Sequence, residues 1–327
     1  MKIHNQLLAA SCLLATAAVS AHTYPVQFES AQLESASASL LPQRFKLNCQ
    51  RVPQALQHLL TQSAWFHHEV EITIAGECSG PIQLSTDGIT LQGDRDLPGS
   101  IKMAEGSASA VEVNHAKVTL KNLKIEVPEG TPALTATNNS SVTLSRLTTN
   151  GKGIDGAVFY PFLIKDNSTA YISQQEGSKV QVAGSSVVEF GAGNSAISLN
   201  VLDTSFSRSV AASEFNSVEV SGNGYFLADN QTQVDLLMIW SKGAVDINQQ
   251  STVGHLMMGG QTLFAAYRNS KITGPYEIYG NVVFELEHSS ADNWQTFDKP
   301  LSIFTGNNAV VNGTLYPSWS WAGQDGN

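Results

Sequence analysis

Charge, cysteine and long apolar runs are all scarce in this chain of 327 residues. Charged residues make up 14%, well below the usual quarter. The basic ones are scarcer still, 18 Lys and Arg against 28 Asp and Glu, for a net charge of -10. A chain without a basic surplus is poorly suited to neutralise phosphates, which argues against nucleic acid as a partner. Past residue 21 no stretch reaches about 18 apolar residues, so no transmembrane anchor is expected. There is no Gly-x-Ser-x-Gly elbow, HExxH, Walker loop or calcium-binding nonapeptide repeat, which removes the chemistries those motifs serve. Helical periodicity is nearly missing too. What remains is 42% hydrophobic with 26 Gly, enough to bury a large core, so disorder is excluded as the main state.

The N-terminus reads as an address. Lys2 precedes an apolar run from Leu7 to Val19, and Val19-Ser20-Ala21 places small residues where a signal peptidase cuts. Residues 1–21 are expected to be a cleaved signal peptide, so the mature protein is secreted or periplasmic, with the cell surface a further option. Residues 22–44 are low in complexity and read as a flexible leader. Of the three cysteines, Cys12 leaves with the signal. Cys49 and Cys78 remain as an even pair in an oxidising compartment, and a disulfide between them is expected.

Residues 45–68 read as an N-terminal cap. Phe45 to Cys49 alternates like a strand, and Val52, Leu56, Leu59 and Leu60 mark one short amphipathic helix. From residue 69 the period is two. Short alternating runs are centred on Val118, Val142, Ala170, Ile197, Val218, Val245 and Ile272, in steps of 24, 28, 27, 21, 27 and 27 residues. Asn-Ser recurs nearby, at Asn139, Asn167, Asn194, Asn216 and Asn269, and Asn tolerates the left-handed backbone that a repeated bend needs. A propeller needs blades of about 40 residues, and a sandwich shows no register. The spacing predicts an all-β, right-handed parallel β-helix of 8 to 10 coils over 69–316, with a tail at 317–327.

A resemblance then becomes specific. Cys49, the short helix, Glu71 to Cys78, Pro81 to Leu84 and Gly88 to Gly93 resemble the opening of secreted right-handed β-helix proteins of the pectin-lyase-like superfamily. The likeness is close over 45–93 and architectural over 94–316. It implies three strands per coil. It does not carry an activity by itself, because that superfamily holds lyases, hydrolases, esterases, tailspikes and adhesins.

Polygalacturonase-like members pair aspartates and add Gly-His-Gly and Arg-x-Lys. Here Gly254-His255-Leu256 and Arg268-Asn-Ser-Lys271 are present, but no Asp-Asp is. Glycoside hydrolysis needs two carboxylates, one to protonate the leaving oxygen and one to activate water. Asp235 and Asp246 are the nearest candidates, so Asp235, Asp246, His255, Arg268 and Lys271 form the catalytic candidate set. Asp94-Arg95-Asp96, with Asp87 upstream, is the one local acidic knot and the candidate ligand or Ca2+ site. A solvated turn around Arg95 is the preferred reading there, and no metal centre is expected. Gly191-Ala-Gly193 mimics a dinucleotide fingerprint but is followed by the strand-like Ile197-Ser-Leu199, so it lacks a helix N-terminus. His67-His68 face opposite ways on a strand and are discounted as ligands. Tyr267, Tyr276, Tyr279, Phe284 and Trp294 are expected to cover the C-terminal end rather than stack on sugars.

The resulting expectation is a non-catalytic exported β-helix that serves as a structural or binding element, with a polysaccharide or surface glycan as the partner. The alternative is a polysaccharide lyase or glycoside hydrolase with a diverged site on the coil face.

Overall fold

Parallel strands stack by hydrogen bonds from one coil to the next, so each coil must return its chain to the same place. The computed structural model shows how this chain does so. It describes residues 42–62, 66, 69–154, 157–294, 303–318 and 320–322. The signal peptide, nearly all of the leader, and His67-His68 lie outside the described residues.

The architecture is a right-handed parallel β-helix of about 12 turns with one short helix. The fold class is as the sequence predicts, and the coil count is higher than the expected 8 to 10. The reason is the true period. In-register neighbours Ile89, Val118, Val142 and Ala170 are spaced 29, 24 and 28 residues apart. From Ala170 the column runs through Val188, Ser207, Phe226, Val245, Phe264 and Phe284, in steps of 18 to 20. The 27-residue step seen in the sequence is one 19-residue coil plus one further face. Val218 pairs with Leu199 and Ile272 with Val253, on faces other than that of Val245.

Three faces result. The first carries Gln43–Asn48, Ile89–Gly93, Thr169–Ser173, Phe206–Ser209, Tyr225–Ala228 and Ala244–Ile247 among its rungs. The second carries Ile82–Leu84, Val111–Asn114, Leu134–Thr137, Phe162–Ile164 and Ile197–Val201, and continues through 217–220, 236–239, 255–258 and 276–279. The third is narrow, and includes Gly99–Lys102, Lys271–Ile272 and Ser290–Ala291. Alternate side chains point inward and fill the lumen. Phe190, Phe215 and Phe226 interlock there with ring centroids 5.1 and 5.5 Å apart.

Corners are the costly part of a coil, because the chain must turn without losing its ladder. Asn139, Asn167 and Asn269 take left-handed φ of 61°, 62° and 64° there, as their side chains permit. The buried residue that follows continues the ladder with its hydroxyl. Ser140 N–H donates to Ser168 Oγ at 3.1 Å, Ser168 N–H to Ser186 Oγ at 3.1 Å, and Ser186 N–H to Ser205 Oγ at 3.3 Å. Asn194 and Asn216 serve otherwise. Asn194 is buried and hydrogen-bonds across coils, and Asn216 sits at a register shift.

Both ends are covered. The helix Ala55–Thr61 packs on the first coils, buries Leu56, and donates from Gln57 Nε2 to Pro81 O at 3.1 Å. Val52 lies outside it and is exposed. Cys49 and Cys78 are fully buried and at disulfide distance, Cα–Cα 4.8 Å. At the far end the strands Ile303–Gly306 and Ala309–Val311 pair antiparallel with Ser320–Ala322 and Thr314–Tyr316, which protects the last parallel edges. Tyr276, Phe284 and Trp294 close the lumen beside them, with centroids 4.9 to 6.4 Å apart. Tyr267 and Tyr279 do not join them. They lie on outward faces.

Candidate functional site

Rungs are about 4.8 Å apart, so outward side chains form straight columns along the axis. On the first face one column holds Glu189, Arg208, Leu227, Asp246, Ala265 and Glu285. Beside it runs Val187, Phe206, Tyr225, Ala244, Leu263 and Val283. Arg208 and Glu189 neutralise each other at 2.6 Å, and Phe206 stacks on Tyr225 with centroids 5.4 Å apart.

Below that pair the face becomes acidic. Tyr225 OH donates to Asp246 Oδ2 at 2.5 Å. Burial raises the Asp246 carboxyl, and the tyrosine's hydrogen bond only partly opposes it. Glu285, two rungs on, is raised by burial and by the negative charges of Glu287 and Asp246. Tyr225 and Tyr267 are raised by burial and by the Asp246 charge. Between the carboxylates Ala265 points outward, yet it is only 1% exposed. Tyr225, Asp246, Tyr267 and Glu285 are half-buried, so they form a close, partly exposed cluster rather than a set of fully solvated charges. Perturbed carboxylates and tyrosines held together on one surface make it the candidate site.

A groove of about 690 Å³ borders this face at the corner. Three successive left-handed pairs line it: Asn230-Gln231, Gln249-Gln250 and Arg268-Asn269. Gln231 Nε2 donates to Gln250 Oε1 at 3.2 Å, and Arg268 has no ion pair among the described residues.

The five catalytic candidates are not gathered at one point. Asp246 is in the acidic cluster, and Arg268 is in the adjoining groove. Asp235 is exposed where the third and second faces meet. Lys271 is on the third face, paired with Asp292 at 2.8 Å. His255 is on the second face, with Nε2 3.1 Å from Glu277 Oε1, a contact without hydrogen-bond alignment. Asp94 takes backbone N–H groups from Asp96 and Leu97 and pairs with Lys46 at 2.7 Å, which holds its carboxyl down to about 2. Arg95 and Asp96 are exposed beside it. Among the described residues no three His, Cys, Asp or Glu side chains group to hold a metal ion.

Sequence reasoning missed Tyr225, Tyr267 as a face residue, and Glu285. A 19-residue step followed by a 20-residue one would have found Glu285, since it aligns with Asp246 through Ala265.

Fold and surface together define a right-handed parallel β-helix with a tyrosine- and carboxylate-bearing face. No protein family, curated protein or solved structure matches the chain.

Proposed function

We propose that the chain is an exported β-helix protein, secreted or periplasmic, that binds a polysaccharide along its first face without cleaving it. The signal-like residues 1–21 and the Cys49–Cys78 pair support export, since disulfides persist in oxidising compartments. The resemblance of residues 45–93 to the pectin-lyase-like superfamily supports the ligand class. The observation that carries the reading is the continuity of the Tyr225–Asp246–Tyr267–Glu285 cluster with the amide-lined corner groove. Carboxylates and amides hydrogen-bond sugar hydroxyls, tyrosine rings stack on sugar faces, and the columns repeat along the axis as a linear polymer does.

The test is retention of the mature protein on a panel of immobilised polysaccharides. At least one is expected to retain it, and Asp246→Asn with Tyr267→Ala is expected to weaken that retention at least tenfold. No retention on any of them overturns the reading.

The raised carboxyls of Asp246 and Glu285 favour one second reading, a glycoside hydrolase. Their strands lie two rungs, about 9.6 Å, apart along the axis, a backbone spacing from which the two carboxyls could approach the 6.5–9.5 Å that inverting enzymes use. Reducing ends and unsaturated uronate absorbance, assayed with and without calcium, decide it. Turnover abolished by Asp246→Asn would replace binding with catalysis.

A further inference from the structure

The second face carries an independent feature. Its outward side chains form a grid, with Leu236, Met238 and Trp240 on one rung and His255, Met257 and Gly259 on the next. Glu277 and Tyr279 continue the second and third columns. Of the five methionines, Met103 and Met258 are buried and Met1 lies outside the described residues. Met238 and Met257 are half-buried, and they are direct neighbours on adjacent rungs, about 4.8 Å apart at the backbone. His255 precedes Met257 by two residues, so both side chains leave the same side of the strand. His255 Nε2 is hidden from solvent and makes no hydrogen bond. It lies 3.1 Å from Glu277 Oε1, beside that oxygen rather than aligned with it. Tyr279 OH donates to Glu277 Oε2 at 3.1 Å and so fixes the carboxylate. A Cβ on Gly259 would meet Trp240 Cζ3 at 2.5 Å and Cε3 at 2.6 Å, so the indole lies over the glycine, next to Met257 along the strand. The register thus brings two thioethers and an imidazole within a side chain's length of one point beside Met257.

We propose that Met238, Met257 and His255 bind a soft monovalent metal ion, Cu(I) in kind. The donor chemistry selects the class. Thioethers are uncharged and polarizable, which suits Cu(I) and its heavier analogue Ag(I). Calcium and magnesium need sets rich in oxygen, and zinc sites take thiolate, imidazole and carboxylate rather than thioether. The imidazole completes the set. A buried nitrogen without a hydrogen bond is costly, and a bound metal ion removes that cost. Glu277 supplies one negative charge beside the cation. Held by Tyr279, it also keeps the His255 ring in place, as outer partners of metal-binding histidines do. The Trp240 ring adds an aromatic wall next to Met257, and cations are attracted to such rings. The site lies on a different face from Asp246, and the proposal is independent of the polysaccharide reading.

The experiment is equilibrium dialysis of the mature protein against Ag(I) in chloride-free buffer, and against Cu(I) held reduced by ascorbate under nitrogen. Any free thiols are first blocked with N-ethylmaleimide. A single tightly held equivalent of either ion is expected, with tryptophan emission quenched as it binds. Neither Zn(II) nor Ca(II) at equal concentration should displace it. Met238→Leu and Met257→Leu, which nearly conserve volume, should each weaken binding about tenfold or more. Glu277→Gln should weaken it about tenfold, as loss of an outer partner does. Trp240→Phe should abolish most of the quenching and keep the bound equivalent. Asp246→Asn on the first face should leave the titration unaltered. Unchanged circular dichroism shows that each variant folds. Three results overturn the proposal: no tightly held equivalent, uptake unchanged in the Met238→Leu, Met257→Leu double variant, or displacement by Zn(II). Quenching that survives Trp240→Phe overturns it as well, because the ion then sits elsewhere.

Discussion

Tyr225 donates its hydroxyl to Asp246 one rung away, and that bond holds a carboxylate where burial disfavours its charge. Asp246 and Glu285 both titrate above their unfolded values. The folded state therefore keeps protons that the unfolded state releases. Their contribution to stability is complete below the unfolded carboxylate range, about pH 4, and is lost as pH rises through the folded values. Asp94 acts in the opposite direction, but its contribution is lost only between about pH 4 and its folded value of about 2. Thermal unfolding should thus show a higher Tm at pH 5 than at pH 7. Asp246→Asn should flatten that slope, and Tyr225→Phe should cost about 1.5–3 kcal/mol at pH 7. A slope that Asp246→Asn leaves unchanged would place the titrating groups elsewhere.

The Cys49–Cys78 pair ties the end of the first strand to the second coil, across a sequence separation of 29. Closing a loop of that length stabilises by about 3–4 kcal/mol in the chain-entropy model. The double change Cys49→Ala, Cys78→Ala should lower the Tm by several degrees and expose the N-terminal coils to protease first. Labelling of two free thiols in the unfolded, unreduced protein would show instead that no bond forms.

Inside the coil, Phe215 touches Phe190 on one side and Phe226 on the other. It is 1% exposed, so removing its ring leaves a cavity inside the lumen. Phe215→Ala should cost about 3–5 kcal/mol, measured by denaturant unfolding. Phe215→Leu should recover much of that loss, because the lumen needs volume more than aromaticity at this position.

The fold was legible because strand alternation and the Asn corners are local signals. Asn139 and Asn167 announce their bends, and Cys49, Leu56 and Cys78 announce the capped entrance. The coil length was hidden for a physical reason. Inward positions of all three faces look alike, so Ala170, Val218, Val245 and Ile272 read as one ladder although they belong to different faces. The site was hidden with it. Asp246 was visible as a carboxylate, but Tyr225 and Glu285 become its neighbours only through a 19- or 20-residue register. Trp240 is likewise an ordinary tryptophan until Gly259 falls beneath it.

Arg268 and Asn269 turn the corner with consecutive left-handed residues, φ 50° and 64°. The same paired bend recurs at Asn230-Gln231 and Gln249-Gln250, and together the three bends shape the corner groove. A β-branched residue pays about 1–3 kcal/mol for this backbone, whereas glycine adopts it freely. Asn269→Val should therefore destabilise by roughly that amount, and Asn269→Gly should stay close to the parent, both measured by urea unfolding. If the proposed ligand enters the corner groove, Asn269→Gly should also weaken polysaccharide retention despite its intact fold, because it removes an amide from the lining. Equal Tm values for the valine and glycine variants would mean that the corner does not depend on its left-handed backbone.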